Sequence, residues 1–147
     1  MSKGCIIIGF GGHSRLLIEI LQDHNKHILG VTEINKDLID QSAETIKFLG
    51  DDDVILDYSS NKVSLVNGLG HLPRETVRED IYNRFTSEGF LFTNLIHSSA
   101  IVSKKIHLET GIQILAGSII QQGSSIGVNT IINTKVSIDH DSEIGNH

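Results

Sequence analysis

From Ile96 to Ile144 an aliphatic residue recurs at every sixth position: Ile96, Val102, Leu108, Ile114, Ile120, Ile126, Ile132, Ile138 and Ile144. With 39% of the chain hydrophobic, nine straight hits have a chance of about 2 in 10,000 in any one phase. The position four residues after each of the first eight is small or β-branched: Ala100, Ile106, Ile112, Ser118, Ser124, Thr130, Val136 and Ser142. A period of six fits neither a helix of 3.6 residues per turn nor a plain strand of 2. It fits a parallel β-helix, in which each hexad is one short flat strand plus a corner and three hexads close a triangular coil. The first-column side chains then fill the core of the triangle. Many β-branched residues and the recurring Gly111, Gly117, Gly123, Gly127 and Gly145 argue against a helix. An irregular β-sandwich is the competing reading.

The remaining residues leave room for a second small domain. Gly4 opens a continuous apolar run, Cys5-Ile6-Ile7-Ile8, typical of a strand covered on both faces. Gly9-Phe10-Gly11-Gly12-His13-Ser14 is a glycine-rich turn. Leu16, Leu17, Ile20 and Leu21 then keep helical spacing, predicting a helix over 14–23. His27 to Thr32 reads as a second strand, ending at Glu33. From 34 to 62 the pattern is thin; Phe48-Leu49-Gly50 closes an apolar patch. Asp51-Asp52-Asp53 offers a cap for a short helix but reads more simply as a solvated acidic loop.

Val63 to Asn67 reads as a third strand, leading into a second glycine turn, Gly68-Leu69-Gly70. A second helix is expected over 76–87, with Val77, Ile81, Tyr82 and Phe85 on one face. Thr76 and Glu79 form its expected capping box and Gly89 its stop. Phe90 to Ile96 reads as a last strand handing over to the repeats. The expected organisation is thus an α/β Rossmann-like domain over 1–94 and a β-helix over 95–147.

Composition narrows the function classes. The net charge of −6 and the absence of a Lys/Arg cluster argue against nucleic acid and anionic membrane as partners. The single cysteine, Cys5, excludes an internal disulfide framework and suits a reducing cytoplasm. Met1 leads almost directly into an apolar run too short to insert in a membrane, so no signal peptide is expected.

Two stretches carry candidate chemistry. The first glycine turn lets backbone approach a ligand closely, and a helix start aims N–H groups and a positive dipole end at an anion such as a phosphate. As a dinucleotide fingerprint it is imperfect, because Ser14 stands where the last glycine belongs. Glu33 stands where a ribose or base contact is expected. In the repeats, Ile138 points inward, so Asp139 or His140 projects from the outer wall. A histidine beside a carboxylate can act as a general base, the carboxylate orienting the ring and stabilising its charged form; a solvated acidic edge is the plainer alternative. A zinc site from His140, Asp141 and His147 is conceivable, but their spacing is not diagnostic of one. His24, His27, His71, His97 and His107 read as loop or surface residues.

In order along the chain, GFGGHSR, VNGLG, the LIHSSA junction and INTKVSIDHDSEIGNH resemble the sugar O- and N-acyltransferases of the hexapeptide-repeat class. That class includes the sialic acid O-acetyltransferase group and the bacterial nucleotide-amino-sugar N-acetyltransferases. The resemblance covers nearly the whole chain. It implies a left-handed β-helix, a homotrimer, acetyl-CoA as donor and a sugar or nucleotide-sugar acceptor in the N-terminal domain, in cytoplasmic service of surface-polysaccharide synthesis. It implies no metal.

Matched residue by residue, His140 is the expected general base and Asp141 its acidic neighbour. His147 is the expected next-coil histidine near the acetyl-CoA thioester. Gly9, Gly11, Gly12, His13 and Ser14, with Glu33 and Gly68, are the expected acceptor-binding set. Two departures stand out. Ser98 occupies a junction position that is commonly proline, which loosens that turn. The chain also stops at His147 in mid-coil, so the β-helix is expected to be truncated at its C-terminus, with CoA bound poorly. A catalytically inert sugar-nucleotide-binding module and a nicotinamide-dependent oxidoreductase are the competing functions.

Overall fold

The computed structural model describes residues 3–35 and 46–147; Met1 and Ser2, where the leader-free reading begins, lie outside them. The chain forms two compact units, 1–92 and 93–147.

In the first unit, four parallel strands, β1 (Gly4–Ile8), β2 (Ile28–Thr32), β3 (Phe48–Gly50) and β4 (Val63–Asn67), lie in the order β3-β2-β1-β4. All of β1 is buried, as its apolar run requires. Helix α1 (Gly12–Asp23) connects β1 to β2. It begins two residues earlier than its apolar spacing suggests, at the glycine turn itself, with Gly11 at the N-cap. Its buried stripe is Ser14, Leu17, Ile18 and Leu21, with Ile20 beside it. Leu16 lies on the opposite side and is 46% exposed. The helix stops at Asn25, whose φ of 52° and N–H bond to Gln22 O at 2.9 Å close the last turn with Lys26 N–H on Leu21 O.

Asp51 to Asp53 is more than a solvated loop. Asp51 caps a 3-10 helix (Asp52–Asp57) by accepting from Asp53 N–H. Asp52 is buried with the Thr32 hydroxyl on its carboxylate at 2.6 Å, and burial raises its pKa.

Helix α2 (Val77–Ser87) also differs from its predicted face. Val77 is 53% exposed, and the stripe turned inward is Arg78, Ile81, Tyr82 and Phe85. Thr76 makes no side-chain cap; its hydroxyl donates instead to Asp80 Oδ2 at 2.8 Å. Gly89, with φ 84°, closes the helix as expected, and Phe90 N–H reaches Phe85 O. The strand expected over Phe90 to Ile96 is divided. Phe92 makes one parallel bridge to Leu65 of β4, while Leu95–Ile96 belongs to the repeats.

In the second unit every hexad contributes a two-residue strand, from β5 (Leu95–Ile96), β6 (Ile101–Val102) and β7 (His107–Leu108), through β8 (Gln113–Ile114), β9 (Ile119–Ile120) and β10 (Ser125–Ile126), to β11 (Ile131–Ile132), β12 (Ser137–Ile138) and β13 (Glu143–Ile144). They stack into three parallel sheets, β5-β8-β11, β6-β9-β12 and β7-β10-β13. Paired residues such as Ile101↔Ile119 and Ile119↔Ser137 are eighteen residues apart, one coil of three hexads. In the same register the first-column Val102 lies opposite Ile120, and Ile120 opposite Ile138. The architecture is a Rossmann-like unit followed along the chain by a left-handed parallel β-helix, as the resemblance implies.

The first-column aliphatics, with Ile112, pack into a single core running through the coils. Each fully buried one contributes about 1.5–3 kcal/mol. Three residues of the small or β-branched column use their hydroxyls to tie successive coils together. Ser118, Ser124 and Thr130 donate to the carbonyls of Asn133, Asp139 and Gly145 in the following coil, at 2.8, 2.9 and 2.8 Å. One regularity was not legible as a pattern of residue type. Gly111, Gly117, Gly123, Asn129, Lys135, Asp141 and His147, six apart, all have φ between 56° and 78°. At the later positions the same left-handed corner is therefore built from residues with a Cβ.

Lys135, with φ 59°, is the least suited of these to a left-handed corner. Lys135→Gly is expected to raise stability by about 0.5–1 kcal/mol, the relief of strain exceeding the entropy cost of glycine. A denaturant midpoint that stays put or falls at unchanged m-value would contradict this.

Candidate functional site

Within the first unit the two glycine turns interlock. The Ser14 hydroxyl is fully buried, 2.7 Å from Gly9 O and 2.9 Å from Gly68 O, and shares its proton between them. A Cβ on Gly68 would lie 2.5 Å from both Ile8 O and Ser14 Oγ. Gly9 has φ 84°, and a Cβ there would meet Leu69 Cδ2 at 2.7 Å. Gly9 and Ser14 thus hold the turns together rather than line the space between them.

That space is a cleft of about 430 Å³, with Gly11, Gly12, His13, Glu33 and Gly68 among its walls. Nothing lies within 4 Å of where a Cβ on Gly11 or Gly12 would be, so these glycines open the cleft outward at the start of α1. Glu33 accepts from Phe10 N–H at 2.9 Å and from Asn35 N–H at 3.1 Å, which holds its carboxylate at the rim.

Arg78 and His71 also line the cleft, and residue-type reasoning passed over both. Arg78 occupies a position where helical spacing calls for an apolar residue. Its Nη1 donates to Leu69 O at 2.6 Å and Asn67 O at 3.2 Å, while Asn67 Nδ2 returns a bond to Arg78 O at 2.9 Å. Burial lowers its pKa to about 10, so it remains charged at neutral pH. The signal available in the sequence was its place in the stripe Arg78, Ile81, Tyr82, Phe85.

In the second unit, His140 and Asp141 stand at a corner with 74% and 75% of their side chains exposed. His140 Nδ1 lies 2.7 Å from Asp141 Oδ2. An ionised carboxylate only accepts, so Nδ1 carries the proton and Nε2 of the neutral ring keeps its lone pair. The hydrogen bond to Asp141, then the charge of Asp141 and more weakly that of Asp139, raise the His140 pKa above the ordinary histidine value. The arrangement can therefore accept a proton at Nε2. His147 lies a hexad further on, its Nδ1 3.0 Å from Asn129 Nδ2. With that amide donating, His147 Nε2 carries the proton and is a donor. At the junction His97 accepts at Nδ1 from Ser99 N–H at 3.1 Å. Among the described residues no three acidic, histidine or cysteine side chains gather as a metal site, and no helix is long and apolar enough to cross a membrane.

Residues 5–85 match the model of the PglD N-terminal domain family. Among solved structures, a mutant of perosamine N-acetyltransferase from Caulobacter crescentus, solved with CoA and GDP-perosamine, superimposes with a TM-score of 0.83 at 29% identity, over 99% of this chain and 67% of that one. The acetyltransferase domain of PglB from Neisseria gonorrhoeae, solved with acetyl coenzyme A, gives 0.84 at 21% identity, over 99% and 68%, a likeness of fold. The chain spans about two thirds of the length of both.

Because the folded pKa of His140 is raised, its pair with Asp141 stabilises the fold below the unfolded pKa, and that contribution is lost as pH rises through the folded value. Asp141→Asn is expected to lower the His140 pKa. An NMR titration of the His140 ring proton reads this directly, and an unmoved midpoint would remove Asp141 as the cause.

Proposed function

We propose, on the premise that the chain belongs to the PglD N-terminal domain family, that it moves the acetyl group of acetyl-CoA to a hydroxyl or amine of a sugar with His140 as general base. The chain is a sugar acetyltransferase with acetyl-CoA as co-substrate. The observation that carries the assignment of His140 is its exposed ring, held at Nδ1 by Asp141 with Nε2 free of that bond.

Acetyl-CoA, when bound, supplies an activated acetyl thioester. His140 Nε2 removes the proton of the attacking hydroxyl or amine as the new bond to the acetyl carbon forms. Asp141 stabilises the imidazolium that results. His140 then returns the proton to the departing thiolate, so the products are acetylated sugar and free thiol. No acyl-enzyme is required, and Cys5 is buried in β1. His147 suits a thioester site because its Nε2 offers a proton to a carbonyl oxygen.

The acceptor is a nucleotide-linked amino sugar or a sialic-acid-like sugar, made for a surface polysaccharide. Its charged end fits the cleft of the first unit. The start of α1 presents N–H groups and a positive dipole end, Gly11 and Gly12 leave the approach open, and Arg78 adds a cation. The single buried cysteine is in keeping with a cytoplasmic setting. The assembly is a homotrimer packed through the β6-β9-β12 face, where Ile101 and Ile119 stack in register while 67% and 38% exposed.

Turnover is read as thiol release from acetyl-CoA over a panel of UDP- and GDP-linked amino sugars, CMP-sialic acids and free sialic acids. His140→Ala is expected to lower kcat a hundredfold or more. Near-normal turnover by that variant would overturn the general base, and nucleotide-sugar binding without any turnover would favour an inert binding module. The rate is expected to rise with pH through the raised His140 pKa, and Asp141→Asn to move that limb to lower pH. Ile119→Asp is expected to convert a trimer to monomers in sedimentation equilibrium; a wild-type chain that sediments as a monomer would refute the assembly.

A further inference from the structure

The β-helix stacks each corner on the one eighteen residues earlier, and beneath His140 that earlier corner is Gln122-Gly123-Ser124. Three features of it meet the His140 segment. Gln122 O accepts from Asp141 N–H at 3.0 Å. The Ser124 hydroxyl donates to Asp139 O at 2.9 Å, and Ser142 N–H points back at the same hydroxyl at 3.3 Å. Gly123 leaves the space in which the Asp141 carboxylate lies: a Cβ there would overlap Asp141 Oδ1 and approach Asp141 Cγ at 3.0 Å. The backbone on both sides of His140 is therefore held from one coil below, and the carboxylate that holds its ring lies in the space Gly123 leaves there.

We propose that Gly123 and Ser124 are positioning residues for His140, a template one coil away that sets where its imidazole points. Gly123 acts through the Asp141 carboxylate, which has no room to keep its place over any larger residue. Ser124 acts through the carbonyl of Asp139. The catalytic meaning of this rests on the reading of His140 as general base; the geometry does not.

The repeat supplies its own control. Gly117 and Ser118 form the equivalent corner one hexad earlier. Gly117 has φ 69°, like the 78° of Gly123, and Ser118 donates to Asn133 O just as Ser124 does to Asp139 O. What lies over Gly117 is the Lys135 side chain, whose Cγ a Cβ would meet at 3.3 Å. Gly117→Ala and Ser118→Ala therefore reproduce the backbone strain and the lost hydrogen bond without touching Asp141.

The experiment is an NMR titration of the His140 ring proton, assigned by its disappearance in His140→Ala, in the full chain and in these variants, alongside turnover. The groups whose charges act on His140 are Asp141 and Asp139. Gly123→Ala is expected to bring the His140 pKa down toward the ordinary value. It is expected to cut kcat about ten- to a hundredfold, the scale of a misplaced catalytic group, with KM little changed. Gly117→Ala is expected to change neither. Added to Asp141→Asn, Gly123→Ala is expected to lower the pKa no further. Should Gly123→Ala fail to fold, Ser124→Ala against Ser118→Ala tests the same template, with Ser124→Thr expected to restore the titration. An unmoved His140 titration in Gly123→Ala or its substitute, or an equal shift in the control, would overturn the proposal. Loss of the general-base reading alone would show instead as His140→Ala retaining turnover while the titrations still separate the two corners.

Discussion

The second unit depends on one backbone constraint, a left-handed residue at every sixth position from Gly111 to His147. Such a residue turns the chain between flat strands within a few residues. In the later coils its N–H finds a carbonyl nineteen residues back: Asn129 on Thr110, Lys135 on Ala116, Asp141 on Gln122 and His147 on Val128. The corners therefore stack as faithfully as the strands do. Because stacking is enforced by hydrogen bonds and by the aliphatic column, no corner is independent of the one beneath it. A side chain presented at one corner takes its position from residues a full coil away in sequence.

The first unit solves a different problem, holding two loops still beside an open cleft. Its answer is a buried hydroxyl and a buried cation. Ser14 ties the glycine turn after β1 to the one after β4 through two carbonyls. Arg78 ties the second turn to the start of α2. Burying a guanidinium is costly unless its donors are used, and here Nη1 is spent on the carbonyls of Asn67 and Leu69. The glycines divide by task. Gly9 is favoured by its φ of 84° and Gly68 by close approach to Ile8 O, whereas Gly11 and Gly12 face open space and leave room for something other than the chain itself.

Legibility differed between the units for a physical reason. Periodicity reports burial, so the β-helix core and the exposed corner at His140 could be read from the first column alone. Periodicity misplaced Leu16 and Val77 because apolar character alone does not say which side of a helix meets the sheet; both are about half exposed. It passed over Arg78 because a charged residue is assigned to solvent unless its partners, here main-chain carbonyls, are known. Thr76 makes no side-chain cap because its backbone (φ −104°, ψ −3°) is already helical rather than the extended form a capping side chain needs. The single strand expected over Phe90 to Ile96 was divided because its two ends find partners in different sheets, Leu65 for Phe92 and Gln113 for Leu95.

By itself the sequence determined the architecture: an apolar strand and glycine turn at the front, a hexad repeat behind, and a histidine beside a carboxylate on its outer wall. These are local or strictly periodic properties, carried by residues near one another or at a constant spacing. Only the tertiary structure decided which glycines are obligatory, that Ser14 is a brace, that Arg78 reaches the cleft, and that Gly123 makes room for Asp141. Each of these depends on atoms far apart in the chain meeting at a distance of a few ångströms, and a hydrogen bond or an overlap of that kind leaves no spacing to read.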